Sequence, residues 1–134
     1  MNEESAPQPR STLGGLTQAD RVTQALGRSD DLLAVSLDVT DPASVQAGAD
    51  TAVERFGRID VLINNAGMSP PMPSDQVTEQ LFDSVLGLNF KGPFRLASQV
   101  ARRMADGDGG VILNVSSSGA LMPLPYVIPY GSAK

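Results

Sequence analysis

The sequence predicts an α/β fold, part of a doubly wound parallel sheet with three strands and flanking helices. Three observations carry this. Residues 32–38, 60–64 and 111–115 are short runs, apolar almost throughout, as strands covered on both faces are. The stretches between them repeat apolar residues at helical spacing and stop at glycine-bearing turns. Strand, helix, strand, helix, strand with short connections is the order of a parallel sheet with helices packed on it.

Taken in order, residues 1–13 read as a disordered lead, polar and proline-bearing without periodicity. The domain is expected over 14–134. Gly14-Gly15 punctuates, and Leu16 to Leu26 reads as a short helix, with Thr17 as cap, Val22, Ala25 and Leu26 on one face and Gly27 as stop. The first strand is expected over Leu32–Asp38. Asp41 then caps a helix whose first residue is Pro42. Its apolar stripe is Val45, Ala49, Ala52, Val53 and Phe56, and Gly57 ends it. Asp60–Asn64 is the second strand, followed by Asn65-Ala66-Gly67 and a Pro-rich loop, Ser69 to Ser74. A long helical pattern runs from Thr78 to about Met104, with Leu81, Val85, Leu88, Val100 and Met104 inward. Asn89, Gly92 and Pro93 interrupt it, and the proline is expected to kink the axis. Asp106 to Gly110 turns the chain into the third strand, Val111 to Val115. The loop residues Leu121, Met122, Leu124 and Tyr126 are read as ordinary loop packing rather than a pocket wall.

Composition limits the chemistry. The chain has 134 residues, room for one domain with a moderate core, and 41% apolar residues, unlike a disordered protein. It holds no cysteine and no histidine. Disulfides, thiol nucleophiles, Ser-His-Asp triads and Cys or His metal sites are thereby excluded. Tyrosine, lysine and carboxylates remain as acid–base groups. The net charge is −5 with no basic cluster, which argues against a nucleic-acid partner. No apolar run has membrane-spanning length and the first residues lack a signal-peptide core, so a cytoplasmic protein without a membrane partner is expected.

Ligands of open parallel sheets bind beyond the carboxyl ends of the strands. The three runs end there in Asp38-Val39, Asn65-Ala66-Gly67 and Ser116-Ser117. The third leads into Asn114–Lys134, NVSSSGALMPLPYVIPYGSAK. Tyr130 and Lys134 stand four apart where Pro129 starts a helix, so they share one face, and Ser117 faces them from the strand end. A free tyrosine, with a pKa near ~10, is a poor base at neutral pH. A cation beside the phenol favours the phenolate, and a serine hydroxyl can hold the reacting oxygen. Taken alone, the trio is equally compatible with a surface pair and turn-forming serines.

In their order and spacing these residues resemble the short-chain dehydrogenase/reductase family. The resemblance is carried by LDVTDPASV at 37–45, NNAG at 64–67, Asn89 in VLGLNFKGPF, NVSSSG, and YGSAK. Asn89 precedes Ser117 by 28 positions and Ser117 precedes Tyr130 by 13. The resemblance covers roughly 16–134 and implies a partial Rossmann-like domain of an NAD- or NADP-dependent oxidoreductase that reduces a small-molecule carbonyl or oxidises an alcohol. It implies that Tyr130 exchanges a proton with the substrate oxygen and that Ser117 holds that oxygen. Lys134 eases loss of the phenolic proton and binds the nicotinamide ribose, and Asn89 anchors a relay water. Asp38 accepts from the adenine amino group with the Val39 amide beside it, and Asn65, Ala66 and Gly67 pass along the adenosine ribose. Homo-oligomers are usual in the family.

The chain departs from the family pattern at both ends. No TGxxxGxG turn is found, and the sequence stops at Lys134, so a fragment is expected. In the strand order 3-2-1-4-5-6 the run 32–38 then lies two strand places, about 14 Å, from 60–64. The expectation is either a collapse of that strand onto the next or a second chain in the gap, and no turnover by the isolated chain. An inactive fragment or interaction module is therefore the alternative reading.

Overall fold

The structure, a computed structural model, describes residues 32–134. The predicted lead, the Gly14-Gly15 pair and the helix expected over 16–26 lie outside the described residues. All elements below belong to one compact unit, residues 36–134.

Helix α1 spans Pro42–Phe56. Asp41 caps it as the sequence predicts, its carboxylate accepting from the Ala43 and Ser44 amides at 3.0 and 3.3 Å. Gly57, at φ 82°, ends it in the left-handed region that glycine enters without strain. Val45 and Ala49 are buried, but Phe56 is exposed under the Arg55 guanidinium instead of closing the apolar stripe. Strand β1, Val61–Asn64, pairs in parallel with β2, Val111–Asn114, in the register Val61↔Val111 to Asn64↔Asn114. Arg58 bridges Asp60 and Asp108 at the entrances to the two strands.

The expected long helix is three pieces. Helix α2 covers Glu79–Leu86, capped by Thr78, a π-helical turn covers Gly87–Lys91, and helix α3 covers Gly92–Ala105. The Gly92 amide reaches back to the Gly87 carbonyl. One residue is thus accommodated as an extra-wide turn just ahead of Pro93, and the chain stays helical through the proline. Helix α4, Ile128–Ala133, carries Pro129 in its first turn.

The core lies on one face of the sheet. Ala49 of α1 and Val100 and Met104 of α3 pack with Ile59, Leu62, Leu96 and Ile112. Alternate strand residues point the other way, and Val61, Ile63, Val111 and Leu113 are 48–60% exposed.

The strand expected over Leu32–Asp38 does not form, and the sheet of the described residues has two strands, not three. The reason is competition for its backbone. The Asp38 amide bonds the Ser44 hydroxyl at 2.9 Å, the Asp38 carbonyl accepts the Asp41 amide at 3.2 Å, and Leu37 packs on Gly48. These local partners on α1 hold Leu37 and Asp38, while the β1 ladder bonds only β2. Among the described residues no collapse of this segment onto β1 occurs.

Candidate functional site

The loops leaving the carboxyl ends of β1 and β2 meet the start of α4. They enclose a cleft of about 240 Å³ lined by Asn65, Gly67, Met68, Ser69, Val115, Ser116, Tyr130 and Lys134. Tyr130 and Lys134 share a face of α4, as their spacing predicts, with the Lys134 ammonium 5.8 Å from the centre of the phenol ring. That lies within the range over which a cation and an aromatic face attract. The ammonium also donates to the Val115 carbonyl at 2.9 Å, and the Ser116 hydroxyl donates to the Lys134 carbonyl at 3.0 Å.

Asn89 sits in the π turn and is buried. Its side chain is fully braced. Nδ2 donates to the Met68 and Val85 carbonyls at 2.8 and 3.0 Å, and Oδ1 accepts the Met68 amide at 3.0 Å. Both backbone groups of Met68 are therefore held by one buried amide, which fixes the loop after β1 over the interrupted helix. Gly67 is where this becomes tight. A Cβ there would lie 2.6 Å from Asn89 Oδ1 and 3.5 Å from Lys134 Nζ, so the absent side chain lets the two approach.

Ser117 does not line the Tyr130 cleft. Its Oγ accepts the Gly119 amide at 3.1 Å and caps the turn Ser118–Ala120, which leans on α4 where the Gly119 carbonyl meets Gly131. The hydroxyl proton has no acceptor among the described residues. An oxygen oriented by an amide, with its own proton unspent, is a ready donor to a carbonyl.

Asp38 and Val39 lie away from this cleft, at the turn before α1. Asp38 Oδ1 accepts both the amide and the hydroxyl of Thr40, at 2.8 and 2.7 Å. Those bonds, the hydroxyl's first, hold the Asp38 carboxyl below its ordinary value. It is an exposed, ionised acceptor. Val39 is buried, with a Cβ at Gly92 only 2.8 Å from its side chain. Asn65 and Gly67 line the cleft and Ala66 lies between them on the exposed loop.

Asn64, first residue of the NNAG segment to which the family resemblance gives a sheet-stabilising part, is buried and donates to Asn114 Oδ1 at 2.8 Å across the ladder, and to the Pro93 carbonyl. The signal was visible: both strands read three apolar residues and then asparagine, VLIN and VILN. Ser116 had been read only as a strand-end marker. Leu121, Met122 and Tyr126, expected to pack within their loop, are instead exposed, and Tyr126 has a φ of 64°.

A parallel sheet covered by helices, with a Tyr–Lys pair set beyond the carboxyl ends of its strands, has the architecture of the doubly wound α/β class. The short chain dehydrogenase profile matches residues 13–134. The chain belongs to that family. It is 35% identical to D-threitol dehydrogenase of Mycolicibacterium smegmatis over 134 residues, all of this chain and 47% of that protein. Among solved structures it resembles 3-ketoacyl-(acyl-carrier-protein) reductase from Brucella melitensis complexed with NADH, with TM-score 0.77, 33% identity, and 86% of this chain and 49% of that one covered. ElxO with NADP bound gives TM-score 0.78 at 30% identity, covering 84% of this chain and 46% of that one. The chain thus spans about half the length of the relatives it matches. Among the described residues no helix is long and apolar enough to cross a membrane.

Proposed function

We propose that this chain supplies the proton-transfer centre and part of the cofactor groove of an NAD(P)-dependent oxidoreductase that interconverts a small-molecule alcohol and its carbonyl. The observation that carries the reading is the Tyr130–Lys134 pair at the sheet's carboxyl edge, with the ammonium 5.8 Å from the phenol ring and tied to the strand end. A cation held beside a phenol stabilises the phenolate, which lets tyrosine act as base toward an alcohol and as acid toward a carbonyl.

The donor set suits a nicotinamide dinucleotide. The ionised Asp38 carboxylate fits the adenine amino group, with the Val39 amide beside it. Asn65, Ala66 and Gly67 offer a loop with one side chain absent for the adenosine ribose. Lys134 and Tyr130 offer donors for the nicotinamide ribose. When bound, the nicotinamide supplies the hydride acceptor or donor. Ser117, which here caps the turn Ser118–Ala120 outside the cleft, donates to the substrate oxygen once its hydroxyl turns toward Tyr130. Tyr130 takes the alcohol proton in oxidation and returns it to the oxygen in reduction. Asn89 holds the Met68 loop against the π turn and anchors the water that passes this proton on. NAD and NADP both agree with this donor set. The family resemblance implies a homo-oligomer, and Val61, Ile63, Val111 and Leu113 leave one face of the sheet exposed for further protein to cover.

The test is Tyr130→Phe in the protein as expressed from its own gene. Turnover is expected to vanish while NADH or NADPH still binds, read by fluorescence titration. Full turnover by the variant refutes the role given to Tyr130.

A further inference from the structure

The aspartate turn before α1 is held from two sides. On the α1 side, the Ser44 hydroxyl oxygen accepts the Asp38 amide at 2.9 Å. On the α3 side, Gly92 leaves room for the chain: a Cβ there would stand 2.8 Å from Val39 Cγ2 and 2.9 Å from the Val39 carbonyl. Arg95 Nη1 then donates to the Thr40 carbonyl at 3.1 Å, across 55 positions of sequence. Residues three apart on a helix are neighbours, so Gly92 and Arg95 make one seat for the consecutive residues Val39 and Thr40.

Thr40 in turn holds the carboxylate. Its amide and its hydroxyl both donate to Asp38 Oδ1, at 2.8 and 2.7 Å. The amide is common to nearly every residue type, and the hydroxyl is what threonine adds. That hydroxyl is also the first cause of the lowered Asp38 pKa. Both bonds end on one oxygen, which leaves Oδ2 to accept from a ligand. An exposed carboxylate that rotates freely must be ordered when it meets a ligand. One already tied to its neighbour has less freedom to lose.

We infer that Thr40 and Arg95 are positioning residues for the adenine end of the cofactor: Arg95 seats Thr40 on α3, and Thr40 aims the second oxygen of Asp38 at the adenine amino group. Both act through Asp38 and not on the reacting atoms. This rests on the reading of Asp38 as the adenine acceptor given above.

The experiment measures binding, not turnover. On the protein as expressed from its own gene, NADH and NADPH are titrated by fluorescence beside their deamino analogues, in which a carbonyl replaces the adenine amino group. The readout is the ratio of the two dissociation constants for the tighter-binding pair. The parent should prefer the amino form about tenfold, as one hydrogen bond to a charged group allows. Thr40→Val keeps the shape and loses the hydroxyl, and Arg95→Ala removes the seat. Each should lower the ratio to about threefold or less, with affinity for the deamino analogue within about twofold of the parent's. Thr40→Ser keeps the hydroxyl and should keep the ratio. An unchanged ratio in Thr40→Val or in Arg95→Ala overturns the inference. So does a loss in Thr40→Ser as large as that in Thr40→Val, which marks a packing role. If Thr40→Val does not fold, Arg95→Ala and Thr40→Ser decide on the same ratio. A parent that binds the amino and deamino forms alike, or binds neither, sinks the adenine reading of Asp38 itself, whatever the variants do.

Discussion

Gly67→Ala sets two effects of opposite sign against each other at the centre of the site. Gly67 does not have a positive φ among the described residues, so alanine is allowed by its backbone. Restricting the unfolded chain would then stabilise the protein by about 0.4–1 kcal/mol. Against this stands the new Cβ, 2.6 Å from Asn89 Oδ1. To reach the 3.4 Å of an ordinary contact the oxygen must retreat by about 0.8 Å, and Asn89 is not a free side chain. It is buried and held by three hydrogen bonds. Displacing it loosens the 3.0 Å bond from the Met68 amide first, leaving a half-buried amide short of its partner at about 1–3 kcal/mol, with about 1 kcal/mol for the bond itself. The clash wins by roughly 1–3 kcal/mol net. Gly87 is the control. It lies in the same helical segment, nothing stands within 4 Å of its Cβ position, and alanine there should stabilise by up to about 1 kcal/mol. Urea midpoints measured on both variants should therefore move in opposite directions. A Gly67→Ala protein as stable as the parent would refute the tight Asn89–Gly67 packing, and with it the claim that the loop after β1 is fixed by one amide.

Three further outcomes follow from the same structure. Val45 is fully buried in α1, and Val45→Ala should cost roughly 2 kcal/mol by loss of two methyl groups and the void left behind, read as a lower urea midpoint. Asp50 is held below its ordinary carboxylate value by Gln46 first and then by Arg103. Since its folded value is depressed, its contribution is present above the unfolded value near ~3.9 and fades as pH falls through the folded one. Stability should drop as pH falls below about 4, and the drop should be smaller in Asp50→Asn, as urea midpoints at successively lower pH would reveal.

What was legible in the sequence was what local chemistry decides. Asp41 before Pro42 announced its helix because a cap and its amides lie within three residues. Tyr130 and Lys134 shared a face because four residues make one turn. The failures turn on which of several possible partners a group takes. The apolar content of Leu32–Asp38 is that of a strand, yet a strand exists only when a neighbour pairs with it. Here Ser44, Asp41 and Gly48 hold Leu37 and Asp38 instead. Ser117 caps the turn Ser118–Ala120, the turn-forming reading that the sequence also allowed.

The interruption of the long helix shows how the two ends of the candidate cofactor groove are tied together. Asn89, Gly92 and Pro93 mark the interruption in the sequence. In the structure it is a turn one residue wider than an α-turn, and that wide turn serves both ends of the groove. Asn89, on the turn, grips Met68 beyond β1. Gly92, at its end, receives buried Val39 next to Asp38, while Arg95 one turn on donates to the Thr40 carbonyl at 3.1 Å. A regular helix through this stretch would rotate the residues after it by about 100° relative to those before, since each residue advances a helix by that angle. Either Asn89 or Gly92 would then face away from its partner. The extra residue is therefore what lets one helical rod address the aspartate turn and the Tyr130 cleft at the same time. Deleting a single residue between Gly87 and Lys91 should disturb both ends together.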